Sequence, residues 1–156
     1  MLVLRLTSFS VIAVGFVYVV AALGQETPKK GDDVKEELKR LEGTWRVVAV
    51  ELGGKEMDRE EIGPNNLLVF SGTKSSVVTG TKMRTIECTF TLDPTKSPKW
   101  MDSTRISDKI SWPGIYKLEG DTLKVFLGSP GGKRPTGFKT KEGTQQVIHT
   151  YQRVKR

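Results

Sequence analysis

The sequence predicts an all-β fold: an eight-stranded antiparallel up-and-down barrel with one short N-terminal helix. Three observations carry that prediction. Eight short segments rich in β-branched and aromatic residues follow Gly43, separated by turn residues. No helical-period stretch lies between them to serve as a parallel crossover. One segment, Arg84–Leu92, alternates strictly, with Ile86, Cys88, Phe90 and Leu92 on one face and Thr85, Glu87, Thr89 and Thr91 on the other. Closing eight such strands removes the exposed sheet edges.

The first 24 residues stand apart. Arg5 gives a weakly positive start, Val11–Leu23 is uncharged and mostly apolar, and Ala22-Leu23-Gly24 places small residues before Gln25. This is the layout of a secretory signal peptide over residues 1–24. The alternative is a retained membrane anchor, for which the uncharged stretch 6–23 is at the lower length limit. The chain is therefore expected to be exported, periplasmic or extracellular, and membrane-anchored if residues 1–24 stay attached. Residues 25–32 are polar, with Pro28 and Gly31, and read as a flexible leader. Residues 33–156 read as one barrel domain, too short for two.

The helix is expected over Asp33–Leu41. Val34, Leu38 and Leu41 recur at helical spacing, Asp32 or Asp33 offers an N-cap, and Gly43 follows the end. Strands are expected at Thr44–Leu52, Asn66–Phe70, Lys74–Gly80, Arg84–Leu92, Lys99–Ser103, Gly114–Leu118, Thr122–Leu127 and Gln146–Val154. Ser71-Gly72-Thr73 and Glu119-Gly120-Asp121 read as tight turns. Asp93-Pro94 ends the alternating strand, on which Cys88 is expected as a small buried core filler.

Loop lengths give the barrel a polarity. In a meander, alternate connections lie at the same end. Gly72-Thr73, Asp93–Pro98 and Glu119–Asp121 are short, whereas Gly53–Asn65, Thr104–Pro113 and Gly128–Gln145 are long, with only Thr81–Met83 short on their side. The helix precedes the first strand, so it is expected to plug the short-loop end. Any mouth then lies at the long-loop end.

Charge and chemistry narrow the function. Residues 25–61 carry 8 basic and 11 acidic side chains, and residues 62–156 carry 16 and 7, a net +9. Such a surface suits an anionic envelope component or an acidic partner, or is a solvated lysine-rich face. Nucleic acid is not expected, because no aromatic-basic recognition motif is present. One cysteine and one histidine argue against a disulfide framework and a metal site. No nucleophile elbow and no cofactor motif occur, and the Gly128–Arg134 run lacks the spacing of a phosphate loop. An enzyme is not expected, and no cofactor. The sequence carries no signal of oligomeric state. Trp112, Tyr116, Lys133 and Arg134 form the candidate binding set: an aromatic surface plus cations at the mouth, suited to a small amphipathic ligand. A loop-fixing scaffold role for Arg134-Pro135 is the alternative.

Gly43-Thr44-Trp45, directly after the helix, is similar to the Gly-x-Trp signature of lipocalins. The longer runs Leu41–Val48, Leu68–Gly72, Leu92–Lys99, Gly114–Leu123 (Gly-Ile-Tyr-Lys-Leu-Glu-Gly-Asp-Thr-Leu) and Gly132–Pro135 look like an uncharacterised lipocalin-like domain family expanded in planctomycete bacteria, over about residues 38–156. The resemblance implies an exported barrel domain and no activity. It also implies that Trp45 packs at the closed end beneath a basic side chain from near the C-terminus, for which Arg153 is the candidate. Such a cation–π contact contributes about 0.5–2 kcal/mol.

Overall fold

The computed structural model describes residues 30–63, 65–79 and 84–155. The signal segment, residues 25–29 of the leader and the Thr81–Met83 turn lie outside the described residues. The chain forms a lipocalin-like barrel: helix α1 (Lys30–Leu41), then strands β1 (Gly43–Leu52), β2 (Lys55–Glu56), helix α2 (Arg59–Ile62), and strands β3 (Leu67–Ser71), β4 (Lys74–Thr79), β5 (Arg84–Asp93), β6 (Lys99–Arg105), β7 (Ser111–Glu119), β8 (Thr122–Leu127) and β9 (Val147–Arg153). Every pairing is antiparallel, in the order β1-β3-β4-β5-β6-β7-β8-β9, and β1 pairs with β9 to close the tube. β2 is a two-residue addition on β1.

Helix α1 begins at Lys30, so residues 30–32 of the expected leader are helical. Asp32 and Asp33 stand in its first turn and Lys39 and Arg40 in its last, which suits both ends of the helix dipole. Two small elements, β2 and α2, occupy the first long loop, Gly53–Asn65. Glu61 folds back so that its carboxylate accepts the Asp58 N–H at 3.0 Å, holding α2 as a single turn. Strand β7 begins three residues earlier than expected, at Ser111. The Glu119-Gly120-Asp121 turn needs a positive φ, and Gly120 supplies it at 56°.

The core fills the helix end. Leu41 and Trp45 are fully buried with Phe70, Phe90, Met101, Leu118 and Leu123 around them. Phe90 meets Phe70 edge-on, their centroids 4.9 Å apart. Cys88 is buried and unpaired, on the inner face with Phe90. Ile86, expected with them, lies further toward the long loops, beyond the filled layers, and is 38% exposed. A second small cluster lies on the outside. Ile115, Phe126 and Ile148 are covered by Phe138 from the 128–146 loop.

The closed end is as the lipocalin resemblance implies. Trp45 and Arg153 are Cα partners across β1 and β9, and the Arg153 guanidinium lies 4.1 Å from the Trp45 ring centroid. Arg153 also donates to the carbonyls of Glu42 (2.7 Å) and Arg40, and bonds Asp121. The Trp45 indole N–H donates to the Leu41 carbonyl at 2.8 Å. The last carbonyls of α1 thus find donors within the barrel.

Candidate ligand-binding cavity

Above the filled layers the barrel is open. A cavity of about 880 Å³ lies at the end of the long loops, opposite α1. That volume is in the range of pockets that enclose a small organic molecule, roughly 300–1,000 Å³.

Strand alternation builds its wall. On β9, Val147, His149 and Tyr151 face inward, continuing the row that Arg153 begins at the closed end. On β8, Val125 and Leu127 do the same. On β1 the row is Val47, Val50 and Leu52, which strict period-two reading does not give. A β-bulge between Val47 and Ala49 explains it. Val48 is the extra residue, 44% exposed, and it shifts Val50 and Leu52 to the inside. The same shift turns Glu51 outward, where its carboxylate accepts both the backbone N–H (2.9 Å) and the hydroxyl (2.5 Å) of Thr140. Those bonds hold the Glu51 carboxyl below its ordinary pKa.

The first long loop closes another side with Met57, Glu61 and Ile62. Asn66 is fixed there, donating to the Ile62 carbonyl and accepting from the Thr79 hydroxyl at 2.7 Å. The rim is completed by Gly128-Ser129-Pro130 and Gln145-Gln146, the two feet of the last long loop.

Two polar side chains, His149 and Tyr151, stand together on β9, apart from Glu61, Asn66 and Thr79 and from Ser129, Gln145 and Gln146 elsewhere on the wall. His149 and Tyr151 stack with ring centroids 5.8 Å apart. Burial lowers the pKa of His149 below the ordinary imidazole value and raises that of Tyr151, so the first is held neutral and the second protonated. Among the described residues neither makes a hydrogen bond, yet no buried side-chain nitrogen or oxygen lacks a partner. Their polar atoms therefore keep access to the cavity.

The structure separates the four residues expected to form the site. Trp112 lines the cavity, with the Arg105 guanidinium 5.2 Å from its ring centroid. Tyr116 does not reach it. It is 1% exposed at the closed end, because β7 starts at Ser111 and carries Tyr116 most of the way down the barrel. Its hydroxyl donates to Glu37 of α1 at 2.9 Å. Arg134 lies on the outer wall, where it forks onto Asp102, donates to the Gly114 carbonyl at 2.6 Å and covers Trp100 at 4.3 Å. Its place is that of the loop-fixing alternative. Lys133 is exposed beside it and lines no part of the cavity.

His149 and Tyr151 are the residues that sequence reading left out. The signal was available. If Arg153 faces inward over Trp45, residues 151 and 149 on the same strand face inward too. Among the described residues no cluster of three or more His, Cys, Asp or Glu side chains is placed to hold a metal ion, and no helix is long and apolar enough to cross a membrane. No family model, curated protein or solved structure matches the chain.

Proposed function

We propose that the protein is an exported lipocalin-like binding module that carries a small, partly apolar ligand in the open half of its barrel. The observation that carries this reading is the cavity itself: about 880 Å³, with Val, Leu, Ile and Met making up half of its lining, in a barrel whose other half is filled by a buried core. A barrel meant only to be stable gains by filling its interior, since an unfilled apolar space forfeits packing. Export rests on residues 1–24, and membership of the planctomycete lipocalin-like family on the motifs from Leu41 to Pro135.

Native mass spectrometry of protein purified from its own host tests the reading. A co-purifying molecule of a few hundred daltons, lost on delipidation, is the expected result. Protein that arrives empty and takes up no apolar small molecule in titration overturns it. A second reading makes the protein an interaction module on an anionic envelope component. It is favoured by Trp100, 37% exposed on the outer wall and flanked by Lys96 (5.0 Å) and Arg134 (4.3 Å). Retention on envelope extracts that falls steeply with salt supports this second reading, because exposed charges are screened.

A further inference from the structure

The cavity also carries information about which end of a ligand it reads, and this step rests on the binding-module reading above. Its polar side chains divide: Glu61, Asn66 and Thr79 are bonded within the protein, Ser129, Gln145 and Gln146 stand at the rim, and His149 and Tyr151 are paired on one strand below the rim formed by Leu52, Leu127 and Val147. His149 sits opposite Val50 and Val125, and Tyr151 opposite Val47 and Leu123, so each is bracketed by apolar neighbours on both adjacent strands. Nothing in the described protein uses their hydrogen-bonding capacity. An idle phenol and an idle neutral imidazole, each able to donate and to accept, 5.8 Å apart ring to ring, are an incomplete hydrogen-bonding site.

The charge of the chamber limits what completes it. No Lys or Arg is among the described residues of the wall. Arg105, whose guanidinium stands over Trp112, is already bonded through Nε and Nη2 to Asp108. The charged residue on the wall is Glu61, whose carboxylate is tied to the Asp58 N–H at the loop. A carboxylate or phosphate would pass that negative rim and lose its hydration without gaining a counter-charge, which costs far more than a neutral group's transfer. A hydroxyl or carbonyl loses little and recovers it from Tyr151 and His149.

We propose that His149 and Tyr151 are specificity-determining residues that receive the head group of an uncharged amphipath, a long-chain alcohol in chemical class, inserted head first with its tail toward the apolar rim. The preference belongs to the pair. Tyr151 donates and His149 accepts, so a head that both donates and accepts satisfies both at once.

The test uses the full barrel domain and three probes of equal chain length: octan-1-ol, octanoate and octane, titrated at pH 7.5 and followed by NMR shifts of the cavity methyl groups. Octan-1-ol is expected to bind about 10-fold or more tighter than octanoate, as an unpaired charge in an apolar site requires. His149→Phe and Tyr151→Phe are each expected to weaken octan-1-ol about 3- to 10-fold, one hydrogen bond's worth, and to leave octane unchanged. The octane control reports whether either variant has lost its fold or its chamber. Octanoate binding as tightly as octan-1-ol, or both variants keeping full octan-1-ol affinity, overturns the head-group assignment while leaving the binding module standing. Failure of all three probes overturns both.

Discussion

At the scale of single residues, Glu37 is a carboxylate held in the buried interior. It is 5% exposed, yet it accepts from Lys99 at 2.8 Å, Tyr116 at 2.9 Å and Arg40 at 2.5 Å. Burial alone would raise its pKa. The hydrogen bonds of Lys99 and Tyr116 and the charges of Lys99 and Arg40 outweigh burial and hold it below the ordinary 4.5. The sign for stability follows. A carboxyl whose folded pKa is depressed stabilises the fold above its unfolded value and loses that contribution as pH falls through the folded one. Replacing Glu37 with Gln keeps the shape and removes the charge. Lys99 and Arg40 are partly exposed and can turn to water, so the cost is expected to be about 1–2 kcal/mol at pH 7. The gap between wild type and Glu37→Gln in urea denaturation is expected to narrow at pH 3.5. A gap that is equal at both pH values would show that the charge contributes nothing to holding α1 on the barrel.

Among the elements, the segment 128–145, a long loop at the mouth in the sequence, is a strap in the structure. Arg134 fastens it to β6 and β7, Phe138 to the outer cluster, and Thr140 to Glu51 and to the Gly54 N–H at 2.6 Å. Only its two feet reach the mouth. Phe138→Ala uncovers Ile115, Phe126 and Ile148, and because the ring is half-buried the expected cost is about 1–2.5 kcal/mol. Limited trypsin digestion checks it locally: cleavage at Lys139 and Lys141 is expected to accelerate well beyond the global loss of stability. Unchanged digestion would mean that Arg134 and Thr140 hold the strap without the ring. What the sequence showed and hid has the same physical basis. Alternation and turn spacing made the barrel legible, because each is a property of residues a few positions apart; loop parity indicated the plugged end, and the lipocalin resemblance indicated Trp45 beneath Arg153. The bulge at Val48 was illegible, because a one-residue offset leaves no mark in a run such as Val47-Val48-Ala49-Val50. Tyr116 was misplaced because the three residues by which β7 starts early are a third of its nine-residue length. Glu37 went unnoticed because a buried carboxylate on a helix of charges reads as solvated until its partners 62 and 79 residues away are known.

Taken as a whole, the molecule divides its labour along the barrel axis. The helix end holds Leu41, Trp45 and the aromatic layers at full burial, and the loop end leaves about 880 Å³ unfilled. Stability and ligand binding should then be separable by position. Leu41→Ala removes a fully buried side chain at the closed end and is expected to cost about 2–4 kcal/mol, since the close-packed surroundings cannot collapse around the gap. Octan-1-ol affinity of the folded fraction should be unchanged. Val50→Ile acts in the opposite sense. It adds one methylene to the cavity wall, where space already exists, and is expected to raise stability by up to about 0.8 kcal/mol. It should also weaken octan-1-ol binding, because the added group takes volume that the ligand needs. Urea denaturation and the same NMR titration give both quantities for both variants. If Val50→Ile binds octan-1-ol as well as wild type, or if Leu41→Ala loses affinity in parallel with stability, the two ends are not independent. The open half would then be a looseness of packing continuous with the core, and not a chamber kept apart from it.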